Sequence, residues 1–228
     1  MTDVLIPGGR DVRGTLEDPA DGDATGAPGE SDTESIVVAC PPHPQHGGSR
    51  SDGRLVAVAE ELTDAGIACL RFDYGAWDEG YGERADVRNA VRWAADRYDR
   101  VGLFGYSFGA TLALLAAADL ESDASATDAE PAGAAPLEAV AVLAPTARLA
   151  DDLDALEAYA ALEGPVLVCH GERDSTVEWE SIVDRARDRG DEVRSYPADH
   201  FFLATETEVA TDVADVFERT LLEDSRES

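Results

Sequence analysis

One stretch, Val101 to Ala110, constrains the fold more than any other part of the chain. Val101 to Tyr106 is a short apolar run that predicts a buried strand. The leucine- and alanine-rich residues after it predict a helix from Thr111 to about Leu120. Between them the chain reverses at Ser107, with Gly105 and Gly109 placed symmetrically around it. So abrupt a turn forces its central residue into an unfavourable backbone conformation. It also presses the neighbouring residues against other backbone, and residues without a Cβ permit that approach.

The rest of the chain supplies a matching context. Strands are predicted at residues 2–6, 10–17, 34–40, 67–72, 137–143, 166–170 and 193–196, in addition to 101–106. Helices are predicted from near Ser51 to just before Gly66, from Val87 to about Tyr98, and over 147–162, 177–189 and 202–222, in addition to the one after Ser107. The first two strands flank Pro7, Gly8 and Gly9 and read as an antiparallel hairpin. From residue 34 onward strand and helix alternate, the pattern of a parallel sheet covered by helices on both faces. Residues 1–228 read as a single α/β domain, with 18–33 and 121–136 as flexible acidic loops.

In open α/β sheets, chemistry gathers beyond the carboxyl ends of the strands. Three candidates stand there in the order Ser107, Asp174, His200. A serine hydroxyl is a weak nucleophile and needs a base in hydrogen-bond reach. His200 is the candidate base, and Asp174 the carboxylate that fixes its tautomer and steadies its charged form. Glu172 and Asp199 are alternative acids. An anionic intermediate on Ser107 needs N–H donors. Phe108, which follows the serine, supplies one. The loop Pro41-Pro42-His43-Pro44-Gln45-His46-Gly47-Gly48 supplies the other. Proline has no N–H, which leaves Gln45 as first choice and His43 next. His43, Tyr74 and Tyr106 are candidate lining residues. Cys40, His43 and His46 have metal-like spacing, but the intervening prolines oppose a single chelating face, so no metal and no cofactor is expected. The three cysteines, Cys40, Cys69 and Cys169, read as small buried apolar residues, and His170 as a structural residue at a strand end.

These motifs resemble the α/β-hydrolase superfamily, and within it the small cap-less hydrolases related to dienelactone hydrolases and esterases. The stretches that carry the likeness are 42–48, Leu70 to Gly75, Gly105 to Gly109, His170 to Asp174, and Asp199 to Phe202. Relatives often carry His-Pro-His-Pro after the first parallel strand, where this chain has Pro41 in place of the first histidine. The resemblance implies an α/β-hydrolase fold, a three-layer sandwich with a mostly parallel sheet of about eight strands. It implies no large cap, because only residues 144–164 occupy the place where one would be inserted. The activity it implies is hydrolysis of a carboxylic ester or related acyl compound through an acyl-enzyme on Ser107. An open site of this kind favours small or short-acyl substrates. The same three residues would equally serve acyl transfer or peptide cleavage, and a degenerate relative would be a non-catalytic binding protein.

Composition narrows the partners. The chain of 228 residues carries 48 acidic and 18 basic residues, a formal charge of −30, and every basic residue is arginine. Phosphate recognition needs a basic face, so neither nucleic acid nor an anionic membrane is an expected partner. A small-molecule acyl substrate is. Without lysine there is no Schiff base and no P-loop. The N-terminus shows no basic region followed by an apolar core, so a cytoplasmic location is expected. An acidic, lysine-free composition resembles that of proteins from salt-accumulating, haloarchaeon-like halophiles. In dilute buffer the charges repel one another, and at molar salt the screening length falls to about 3 Å. The melting temperature is therefore expected to rise between dilute buffer and multimolar KCl. A thermal scan series in which it stays constant would contradict this reading of the surface.

Overall fold

The computed structural model describes residues 1–19, 33–125 and 137–222. Its centre is an eight-stranded sheet built from β1 (Thr2–Ile6), β2 (Val12–Glu17), β3 (Ser35–Cys40), β4 (Ala68–Asp73), β5 (Arg100–Tyr106), β6 (Leu137–Leu143), β9 (Val166–Gly171) and β10 (Glu192–Tyr196). The two strands between β6 and β9, β7 (Arg148–Ala150) and β8 (Leu153–Asp154), pair separately with each other. The spatial order is β1-β2-β4-β3-β5-β6-β9-β10. The β1/β2 and β2/β4 pairs are antiparallel and the remainder parallel.

Alternation along the strands splits the core between two faces. Ile36, Val38 and Cys40 face α2 (Tyr81–Ala95), α3 (Phe108–Ser125), α4 (Ala155–Ala161) and α5 (Glu180–Arg189). Val37 and Ala39 face α1 (Gly53–Asp64) and α6 (Glu206–Leu222). The α/β-hydrolase architecture without a lid is thus present. Among the described residues no helix is long and apolar enough to cross a membrane.

The chain leaves β3 toward β4 in one direction across the sheet and leaves β5 toward β6 in the other. The loops after β3 and β5 therefore diverge, and a crevice opens above the carboxyl ends of these two central strands. Ser107 stands at its edge.

Several element boundaries differ from those the sequence predicts. Residues 147–162 form the small β7–β8 ribbon before a short helix. Asp154 accepts the Glu157 amide at 2.9 Å, so α4 begins only at Ala155, and the same carboxylate holds Arg148 across the ribbon. Residues 121–125, expected in a loop, are the last turn of α3. Asp119 and Asp123 lie one turn apart and pair with Arg84, Arg88 and Arg92 on α2. Residues 20–32 and 126–136 of the two expected loops lie outside the described residues. The last helix starts at Glu206 because Phe202 and Ala204 have φ of 52° and 68°, which helical backbone cannot accommodate.

One buried ion pair ties the antiparallel edge to the parallel strands. Arg71 on β4 donates through Nε to Glu17 on β2 at 2.6 Å, and it also reaches the Arg50 carbonyl. Glu17→Ala would leave the guanidinium buried without its counter-charge, a loss of about 3 kcal/mol. A clear fall in the urea unfolding midpoint is the expected readout.

Candidate active site

The turn after β5 is held by backbone packing. Ser107 adopts φ 57°, a conformation unfavourable for any residue with a side chain. Its N–H donates to Leu143 O on β6 at 2.8 Å, and its carbonyl accepts the first amide of the α3 ladder, Ala110 N–H, at 3.0 Å. A Cβ on Gly105 would stand 2.3 Å from Gly109 O. One on Gly109 would stand 2.4 Å from both Cys40 O and Pro41 O. The glycine frame thus lets the start of α3 lie directly on the end of β3.

Two return loops meet Ser107. The Gly171–Asp174 turn after β9 and the Pro197–His200 turn after β10 are laced together. Glu172 N–H donates to Tyr196 O at 2.9 Å, and Arg173 N–H to Ala198 O at 3.0 Å. Across that junction His200 Nδ1 lies 2.7 Å from Asp174 Oδ2, and His200 Nε2 lies 2.9 Å from Ser107 Oγ. A carboxylate only accepts, so Nδ1 carries the proton and Nε2 is left to accept from the serine hydroxyl. The other carboxylate oxygen, Asp174 Oδ1, accepts the Thr176 amide at 2.8 Å. Asp174 and His200 are both buried, whereas Glu172 and Asp199 are exposed. The sequence candidates Ser107, Asp174 and His200 therefore come together in one hydrogen-bonded line.

The other sequence candidates divide into lining and support. Phe108 is the first residue of α3, so its N–H has no carbonyl one turn back. In the loop after β3, Gln45 N–H turns to His43 Nδ1 at 3.3 Å, so it is engaged inside its own turn. His46 and Gly48 N–H donate to His43 O, and Gly47 N–H to Pro44 O. The His43 amide is the N–H of this loop that no loop carbonyl or ring takes up. The His43 ring lies 4.8 Å from that of Phe108 and stacks on His46 at 4.5 Å. Tyr74 and Tyr106 are supports. Tyr74 donates to Pro41 O at 3.0 Å, its hydroxyl pushed well above the ordinary phenol range by burial. Tyr106 donates to His200 O at 2.9 Å, with its pKa raised to about 12, again chiefly by burial. Among the described residues no group of three His, Cys, Asp or Glu converges as a metal site would require.

Two tryptophans at the site have no counterpart in the sequence reading. Trp77, in the loop after β4, lies against His43 at 4.7 Å and Phe108 at 5.7 Å. Trp179 stacks on buried His170 at 4.1 Å and donates its indole N–H to Asp174 O at 3.2 Å. The position of Trp77, four residues past the carboxyl end of β4 (Ala68–Asp73), is the available signal, since loops after parallel strands rim the crevice.

Known proteins share this chain's family and its fold. A family described as serine hydrolase (FSH1) matches residues 73–210, a span that includes Ser107, Asp174 and His200. No curated protein matches the sequence. An α/β serine hydrolase without a lid from Xanthomonas campestris superposes with a TM-score of 0.74 at 21% identity, covering 97% of this chain and 95% of that one. Est1E from Butyrivibrio proteoclasticus gives 0.72 at 19%, covering 97% and 99%. An esterase from Pyrococcus furiosus gives 0.73 at 17%, covering 96% and 91%. At these identities the likeness to the solved structures is one of fold.

The closeness of Gly109 to two carbonyl oxygens makes a concrete forecast. Gly109→Ala should lower stability by about 2 kcal/mol or more, because backbone rather than a movable side chain blocks the methyl group. Thermal unfolding of the variant checks this, and a melting temperature equal to that of the parent would show that the packing is looser.

Proposed function

The chain belongs to the FSH1 serine hydrolase family, and from that premise we propose that it cleaves carboxylic esters through an acyl-enzyme formed on Ser107. The observation that carries this reading is the unbroken line from Ser107 Oγ through His200 to Asp174, at 2.9 and 2.7 Å.

In the first half-reaction Ser107 Oγ attacks the ester carbonyl carbon as its proton passes to His200 Nε2. The charge that develops on the imidazole is stabilised by Asp174 across Nδ1–H. The carbonyl oxygen becomes an oxyanion. The free amide of Phe108 at the start of α3 is its first donor. His43 N–H is the second, in place of Gln45, whose amide is engaged by the His43 ring. Collapse of the intermediate breaks the bond to the alkoxy oxygen, which takes the proton from His200 Nε2 and leaves as the alcohol. Water then repeats the sequence. It gives a proton to His200, attacks the acyl carbon, and releases the carboxylic acid as Ser107 Oγ recovers its proton.

Because Ser107, His200 and Asp174 act as a unit, losses at each are large. Hydrolysis of p-nitrophenyl butyrate should fall by about a thousandfold or more in Ser107→Ala, and by a similar order in Asp174→Asn, which would favour the wrong tautomer of His200. Undiminished turnover by purified Ser107→Ala would remove Ser107 as the nucleophile.

A further inference from the structure

Beside the nucleophile lies an apolar wall that the cleavage chemistry itself does not use. The His43, Trp77 and Phe108 rings touch one another pairwise, with centroids 4.7, 4.8 and 5.7 Å apart. Tyr74 closes the back of the group edge-on to Phe108 at 5.8 Å. Gly80 continues the surface. With φ 99° and no side chain, its would-be Cβ lies 3.0 Å from Leu153 Cδ1, 3.8 Å from Leu149 Cδ1 and 4.0 Å from Phe108 Cε2. Trp77 keeps 36% of its surface open despite two ring contacts.

The loop presenting Trp77 is pinned from beneath. Buried Glu83 accepts the amides of Asp78 and Gly80, both at 2.8 Å. Buried Asp86 accepts Gly75 N–H at 3.0 Å and Arg10 Nε–H at 2.8 Å. An aromatic face held this way gives contact area at small entropic loss.

The wall's position relative to the reacting atoms selects which part of an ester meets it. Phe108 and His43 carry the two amides assigned to the oxyanion. His200, whose Nε2 lies 2.9 Å from Ser107 Oγ, gives its proton to the leaving oxygen, so the leaving group lies toward His200. The substituent left to lie along the Phe108–His43–Trp77 surface is the acyl group.

Charge selects what kind of acyl group that is. The arginines on the surrounding elements are engaged: Arg10 with Asp86, Arg54 with Asp52, and Arg148 with Asp154. These three lie on the wall's side and each has a carboxylate partner, whereas Arg173, in the turn that carries Asp174, is held only by Pro197 O. The anchors behind the wall are carboxylates, and the whole chain carries −30. His43, whose pKa is lowered first by burial and then by neighbouring His46, adds no dependable positive charge.

We propose that Trp77, His43 and Phe108 form the acyl-group site of this hydrolase, selective for neutral apolar acyl groups of medium length or with an aromatic ring, in place of the short acyl groups that an open site alone suggests. The proposal rests on the ester-hydrolase reading above.

The test compares kcat/KM for p-nitrophenyl acetate, hexanoate, benzoate and the carboxylate-ended monoadipate, with wild type, Trp77→Ala and Trp77→Phe. Hexanoate and benzoate should exceed acetate by about tenfold or more, and monoadipate should fall about tenfold or more below hexanoate. In Trp77→Ala the hexanoate-to-acetate ratio should shrink about fivefold, while Trp77→Phe retains most of it. Equal rates for acetate and hexanoate in wild type, a preference for monoadipate, or a ratio unmoved in a folded Trp77→Ala would each overturn the assignment. The wild-type series decides without any variant. Ester cleavage without chain selectivity overturns the acyl site alone. Absence of cleavage for every ester overturns the hydrolase reading and this inference with it.

Discussion

The contact between the first turn of α3 and the end of β3 is what the rest of the site depends on. Carbonyl oxygens of Cys40 and Pro41 lie where a Gly109 side chain would begin, and Gly109 O lies where a Gly105 side chain would begin. Two strands thereby deliver their following segments to one point. One brings Ser107 at φ 57° and the Phe108 amide, and the other brings the His43 amide and ring. Backbone cannot move aside as a long side chain can, so the positions of Ser107 and of these two amides are set by the fold itself. For the proposed hydrolysis, such preorganisation is where electrostatic stabilisation gains most.

The carboxyl-end rule made Ser107, Asp174 and His200 legible from sequence, because each follows directly on a strand that short apolar runs reveal. Support residues were less legible, since their roles depend on partners far away in the chain. Tyr106 looks like a lining residue by position, yet its hydroxyl goes to His200 O, 94 positions on. Trp77 lies in the middle of a glycine-rich loop, and only folding brings it to His43. Gln45 is a reasonable donor once prolines are eliminated. What sequence does not disclose is that the His43 ring folds back onto its amide at 3.3 Å.

Two of the misplaced boundaries have a common electrostatic cause. Asp154 both caps α4 and pairs with Arg148, so it ends a ribbon and starts a helix where apolar spacing alone suggests one continuous helix. Asp119 and Asp123, which composition places in or near a solvated loop, are held by an arginine ladder on α2. Arginine suits these tasks because its planar fork donates to two acceptors at once. The same economy appears at Arg10, which slots between Gly75 and Gly82 and braces the loop that presents Trp77.

The proposed function requires that packing and hydrogen bonding activate one serine among the chain's hydroxyls. Treatment with a fluorophosphonate, followed by peptide mass mapping, tests it most directly, because the reagent loses fluoride only to an activated oxygen. The expected result is a single phosphonyl adduct, on Ser107, with labelling that collapses in His200→Ala. An adduct on another residue, or a folded protein that stays unlabelled, would contradict it.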